Sequence, residues 1–211
     1  MRHSFSLRKN TSDIPTFYKV FFYNEYDIDV FKKPKVIVDG GSNIGLFAIK
    51  MKNEYPDSKV ICIEPDLENF NLTKKNLSSY NNVFVENCGL WNKDAKLKVY
   101  DKFNLGKWGM VVEEVSNEGD VSAICLKSLL QKYSIDYIDV LKLDIETSEK
   151  ILFSKNYEEW LPRVKTIIIE LHDWVEEGCA KPFFEAINKS FKKYSYLVKG
   201  ENTIIANNDL A

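Results

Sequence analysis

Apolar and polar positions along the chain change their period at regular intervals. Val36, Ile37 and Val38 form a short β-branched run that stops at Asp39, Gly40 and Gly41 break it, and apolar residues then fall at helical spacing from Ile44 to Met51. This predicts strand, tight turn and helix. A second unit follows, with strand Val60–Ile63, a turn at Glu64 and Pro65 and a helix over Leu67–Leu77, and a third strand, Val83–Val85, ends near Asn87. Strands alternating with helices of this length imply right-handed βαβ crossovers and a mostly parallel sheet with helices on both faces. Between Leu97 and Cys125 the rhythm changes. Lys96–Tyr100 and Met110–Val115 alternate as strands around a Gly106/Gly109 turn region, which predicts an antiparallel excursion. Regular order resumes with helix Leu126–Lys132, strand Val140–Leu143, helix Ser148–Phe153, strand Thr166–Leu171 and helix Lys181–Phe191, where Phe183, Phe184, Ile187 and Phe191 read as core. Tyr194–Val198 and Thr203–Ala206 close the chain as an antiparallel hairpin around Gly200.

Composition narrows the partners. With 211 residues, 45% hydrophobic and 28% charged, the chain suits one hydrophobic core. The expected division is an N-terminal extension, 1–34, packing on or near the active site, followed by one α/β domain over 35–211. A net charge of −2 gives no broad electrostatic grip on nucleic acid, and the Asn/Asp-Pro-Pro-aromatic motif of many base methylases is missing. No stretch approaches the ~20 apolar residues of a membrane helix, and Met1–Asn10 carries no signal-peptide core, so a cytoplasmic protein is expected. Cys62, Cys88, Cys125 and Cys179 show no CxxC pairing and read as reduced thiols.

The strongest local signal is the turn Asp39-Gly40-Gly41-Ser42-Asn43-Ile44-Gly45 at the first strand's end. Glycines there let the backbone approach a ligand, and the next helix offers unpaired N–H groups. A dinucleotide fingerprint would need glycines at 40, 42 and 45, but position 42 is Ser42, so the pyrophosphate-admitting glycine is absent. Asp39 would repel a phosphate and accept hydrogen bonds from a cationic amino acid group, which S-adenosyl-L-methionine carries. Glu64, next to Pro65 about 20 residues past the turn, stands where ribose hydroxyls are held. Asp66 reads as a helix N-cap. His172 follows Glu170 by two positions, so on a strand both would share a face, with Glu170 orienting His172 as a general base. Asp144 and Glu146 follow the fourth strand, where a carboxylate can hold an ammonium group, orient an acceptor or serve as the alternative base. Asp144, Glu146 and His172 also offer oxygen and nitrogen ligands, but their spacing is not diagnostic and no metal is assigned.

Four segments together resemble the FkbM family, a branch of the class I S-adenosylmethionine-dependent methyltransferases: Val38–Gly45; Ile63–Asp66 with Asn69-Phe70; Leu141–Glu146; and Ile169–His172. The resemblance implies a Rossmann-like fold and O-methylation of a hydroxyl on a sugar, glycan or secondary metabolite. It implies that Asp39, Gly41 and Asn43 line the methionine end of the cofactor, Glu64 the ribose, and the loop Asn87-Cys88-Gly89 the adenine, with Asp144 near the sulfonium. The third segment usually continues with glycine, alanine and glutamate, whereas here it reads Thr147-Ser148-Glu149, which bears on the local backbone path. The rival readings are a nucleotide-sugar or dinucleotide enzyme and a non-catalytic S-adenosylmethionine-binding module.

Overall fold

A computed structural model describes residues 4–23, 25–28, 33–100, 111–115 and 119–210. Seven strands form the central sheet: β1 (Val36–Gly40), β2 (Lys59–Ile63), β3 (Val83–Glu86), β8 (Ile138–Leu143), β9 (Val164–Glu170), β10 (Tyr194–Lys199) and β11 (Asn202–Asn207). They run in the order β10-β11-β9-β8-β1-β2-β3, with β11 antiparallel to both neighbours and the other pairings parallel. The predicted hairpin is therefore present, but its second strand is inserted between the first and the body of the sheet. That arrangement follows from burial: Ile204 and Ile205 are almost fully covered, whereas Tyr196, Leu197 and Val198 of β10 are exposed at the edge.

The period of two along the strands builds two cores. Val38, Ile61, Ile63, Leu141, Leu143, Ile167 and Ile169 face one side, where they meet α4 (Leu126–Lys132), α5 (Glu149–Leu152) and α6 (Ala180–Ser190). Ile37, Val60, Cys62, Val140 and Ile168 face the other, against α1 (Asp13–Phe21), α2 (Leu46–Glu54) and α3 (Leu67–Leu77). Strands buried on both faces carry near-continuous apolar runs, as β9 does with Ile167-Ile168-Ile169. Asp66 caps α3 as expected, its carboxylate accepting the Asn69 N–H at 2.9 Å. On α6, Phe183, Ile187 and Phe191 are buried, but Phe184 lies at the rim and is exposed, because its position falls off the inward stripe.

The excursion forms a second, four-stranded sheet in the order β4-β7-β5-β6, from β4 (Cys88–Leu90), β5 (Ala95–Tyr100), β6 (Val111–Glu114) and β7 (Val121–Ile124). The sequence reading named only β5 and β6; β4 and β7 are too short to show a period of their own. The Gly106/Gly109 turn lies outside the described residues. Cys62, Cys88 and Cys179 are buried and Cys125 half-buried, all as free thiols. Among the described residues no helix is long and apolar enough to cross a membrane.

Candidate active site

A cavity of about 370 Å³ opens at the C-terminal ends of β1, β2, β8 and β9, the edge at which open α/β sheets take ligands. On its β1–β2 side the turn is wound by positive φ at three alternate residues, Gly41 (72°), Asn43 (49°) and Gly45 (82°). The N–H groups of Gly41 and Ser42 both donate to the Ile63 carbonyl at 3.0 Å, which ties the turn to the end of β2. Glu64 then bridges turn and helix: its two carboxylate oxygens accept the Asn43 N–H at 2.8 Å and the Asp66 N–H at 2.9 Å. Burial pushes its carboxyl up to about 7, partly offset by these bonds.

The opposite side is acidic. Asp144, Glu146, Glu170 and His172 converge there from the ends of β8 and β9, and all four line the cavity. His172 is buried, with Nδ1 3.0 Å from Glu149 Oε1, while Nε2 faces Glu146 at 3.4 Å and Asp144 and Glu170 at 3.7 Å each. The same Glu149 oxygen accepts the Ile145 N–H at 3.1 Å. The orienting group is thus Glu149, and the expectation that Glu170 would orient His172 is corrected. β9 ends at Glu170, so the strand alternation that put both residues on one face does not extend to His172. Burial alone would lower the imidazole, but the Glu149 bond and the facing carboxylates outweigh it and push it up to about 10. The carboxyls shift upward as well: burial and Asp144 push Glu146 up to about 8 and Glu170 to about 7.

Of the predicted cofactor residues, the cavity brings together Gly41, Asn43, Glu64, Pro65 and Asp144. Asp39, Gly40, Ser42, Gly45, Asn87 and Cys88 stand behind its wall. Asp39 is fully buried and faces Lys142 Nζ at 3.3 Å; that ammonium also donates to the Gly41 carbonyl at 2.8 Å. Burial would lower Lys142, yet Asp39 and Asp144 hold it protonated. Asn87 donates to the carbonyls of Glu64 and Pro65 at 3.0 Å and so positions the loop after β2. Cys88 belongs to strand β4 rather than a loop, and Gly89 and Leu90 reach the cavity in its place. Gly41 is required by protein backbone: a Cβ there would lie 1.7 Å from the Asp144 carbonyl oxygen.

Several wall residues escaped the sequence reading. Pro15, Thr16 and Lys19 lie along α1, and Glu25, Tyr26, Asn69 and Glu201 complete the rim. Pro15, Thr16 and Lys19 recur at helical spacing opposite the apolar Phe17-Val20-Phe21 face, a signal that was present but offered no chemistry of its own. Arg8 anchors this segment, binding Asp13 through Nε at 3.0 Å and Nη2 at 2.9 Å and the Asn69 side chain at 2.8 Å.

The strand order, the glycine turn and a carboxylate at the end of the second strand, all meeting at one cavity, define a class I S-adenosylmethionine-dependent methyltransferase. The methyltransferase FkbM domain matches residues 39–198. The chain belongs to the FkbM methyltransferase family. It is 27% identical over 180 residues to "Methyltransferase 1" of Beauveria bassiana (strain ARSEF 2860), covering 74% of this chain and 72% of that one. Methyltransferase sdnD of Sordaria araneosa is 29% identical over 206 residues, 81% of this chain and 78% of that protein. The crystal structure of methyltransferase FkbM from Methylobacillus flagellatus KT shares the fold with a TM-score of 0.60 at 14% identity, over 90% of this chain and 47% of that one.

Proposed function

We propose that this enzyme transfers a methyl group from S-adenosyl-L-methionine to a hydroxyl of a sugar, glycan or secondary metabolite. The observation that carries the reading is one cavity with a buried carboxylate, Glu64, at the end of the second strand on one side and a cluster of carboxylates with raised proton affinity on the other. The residues fit the cofactor. The Glu64 oxygens accept two backbone N–H groups and a bond from the Asn69 side chain, and their remaining acceptor capacity suits ribose hydroxyls. Asn43 Oδ1 is buried on the cavity wall without a hydrogen bond, an acceptor for the amino acid end, and Asn69, Gly89 and Leu90 flank the space left for the base.

When bound, S-adenosylmethionine supplies an activated methyl carbon, so the protein's work is alignment, exclusion of water and removal of a proton. His172, retaining its own proton at neutral pH in the free protein, is not the base. Glu146 takes that role in its ionised form: it faces the cavity, and a carboxyl near 8 gives up its proton well before His172 does and is matched to a hydroxyl that must lose its proton in the transition state. Asp144 and Glu170 orient the acceptor beside it. Calorimetry with S-adenosylhomocysteine, followed by turnover across a panel of hydroxylated acceptors, tests the reading. Absence of binding by the folded protein overturns it; binding with methylation of amines but not hydroxyls overturns its acceptor half.

A further inference from the structure

We propose that Asp144, Glu170 and His172 form a binding site for one divalent cation, of the kind that accepts mixed imidazole and carboxylate ligands, such as Mn²⁺. One ligand atom from each of the three lies within 4.8 Å of the others. The cluster is more than an accumulation of acidic groups. The His172 side chain is only 2% exposed, and its Nε2, pointing among the carboxylates, makes no hydrogen bond. Its nearest oxygens stand at 3.4 and 3.7 Å, whereas a charge-assisted N–H···O bond closes to about 2.7–2.9 Å. Ligands about 2.1 Å from a shared ion stand roughly 3.0–3.4 Å apart; Nε2 stands 3.7 Å from Asp144 and from Glu170, and the three ligand atoms, all within 4.8 Å of one another, would draw together around the ion.

The surroundings supply what a ligating histidine needs. Glu149, fully buried and fixed by the Ile145 N–H, accepts the Nδ1 proton, which selects the tautomer that leaves the Nε2 lone pair free. Two carboxylates and one imidazole leave open positions on the side of the cavity, where an ion would polarise an acceptor hydroxyl and make its proton easier for Glu146 to take. This catalytic consequence rests on the methyl-transfer reading above; the ion site itself does not.

The test uses the full chain stripped with chelator and then titrated with Mn²⁺, following loss of the free-ion electron paramagnetic resonance signal, with S-adenosylhomocysteine calorimetry on the same samples. One Mn²⁺ per chain is expected. Asp144→Asn and Glu170→Gln should each weaken it, and Glu149→Gln, which leaves all three ligands in place, should weaken it roughly 10–100-fold. Glu64→Gln should leave Mn²⁺ affinity unchanged. No saturable binding, or equal binding by the parent, Asp144→Asn and Glu170→Gln proteins with unaltered circular dichroism, overturns the site and leaves an ion-paired histidine only. S-adenosylhomocysteine binding without Mn²⁺ binding refutes the ion site alone, and the converse refutes the cofactor reading alone.

Discussion

Glu64 joins two demands in one side chain: it holds the Asn43 and Asp66 N–H groups and faces the cavity with a carboxyl pushed up to about 7. A protonated carboxyl loses acceptor capacity, so affinity for S-adenosylhomocysteine should weaken as pH falls below about 7 and level off above it. Calorimetry across that range checks the sign, and Glu64→Gln should abolish the dependence while costing roughly 1–3 kcal/mol of binding. For catalysis, the rate at saturating cofactor should fall as pH drops through about 8, the value for Glu146, and Glu146→Gln should lose on the order of 10²–10⁴ in rate. An unchanged pH profile in that variant would remove Glu146 from the proton's path. Thr147 is the residue whose departure from the family pattern the sequence flagged, and its backbone sits at φ 71°. A β-branched residue is strained there, so Thr147→Gly should gain about 1 kcal/mol, visible as a higher melting temperature. Gly41 behaves oppositely. Because the Asp144 carbonyl occupies the place of a Cβ, Gly41→Ala should cost roughly 2–5 kcal/mol even without cofactor, a loss that thermal melts of the free protein would register.

At the level of elements, α1 is a second wall built against a sheet that was already complete. Its apolar face packs with Phe47 and its neighbours, while Pro15, Thr16 and Lys19 look into the cavity, and the segment hangs on the Arg8–Asp13 pair. Burial would raise the Asp13 carboxyl, but Arg8 more than offsets it and holds it below 3.8. That contribution is present above this pH and is lost as pH falls through the lowered value. Arg8→Ala should strand a buried carboxylate, and with Arg8 itself partly exposed the cost should be about 2–3 kcal/mol. Hydrogen exchange should localise the loss to α1 and the start of α3; uniform loosening would show that the pair serves the whole fold. The βαβ elements were legible in the sequence because each strand is a β-branched run bounded by Gly, Pro or Asp. β4 and β7 were not, since strands of three or four residues owe their existence to pairing with each other and with β5.

Over the whole molecule, charge is unevenly placed. The chain carries a net charge of −2, yet the cavity wall alone holds Glu25, Glu64, Asp144, Glu146, Glu170 and Glu201 against Lys19 and His172. A recess of one sign focuses its field, so neutral or cationic acceptors should exceed phosphorylated counterparts in kcat/KM by at least about tenfold, with the margin shrinking as salt is added. Equal efficiency at low salt would contradict this. Much of that wall was legible from motifs, because Glu64, Asp144, Glu146, Glu170 and His172 each follow a recognisable strand. Glu149 was not: its meaning lies in a bond to His172, 23 residues away, and no local pattern encodes a contact between the start of a helix and a distant loop. The partner of Asp39 was hidden for a similar reason, since Lys142 comes from the neighbouring strand β8.

The Lys19–Glu201 ion pair joins α1 to the turn between β10 and β11 across the mouth of the cavity. Residues from opposite ends of the chain therefore form a clasp over a ligand chamber whose floor belongs to the middle. A ligand that touches both floor and clasp would tie the first helix to the last hairpin, so its binding would stabilise the contact between the two.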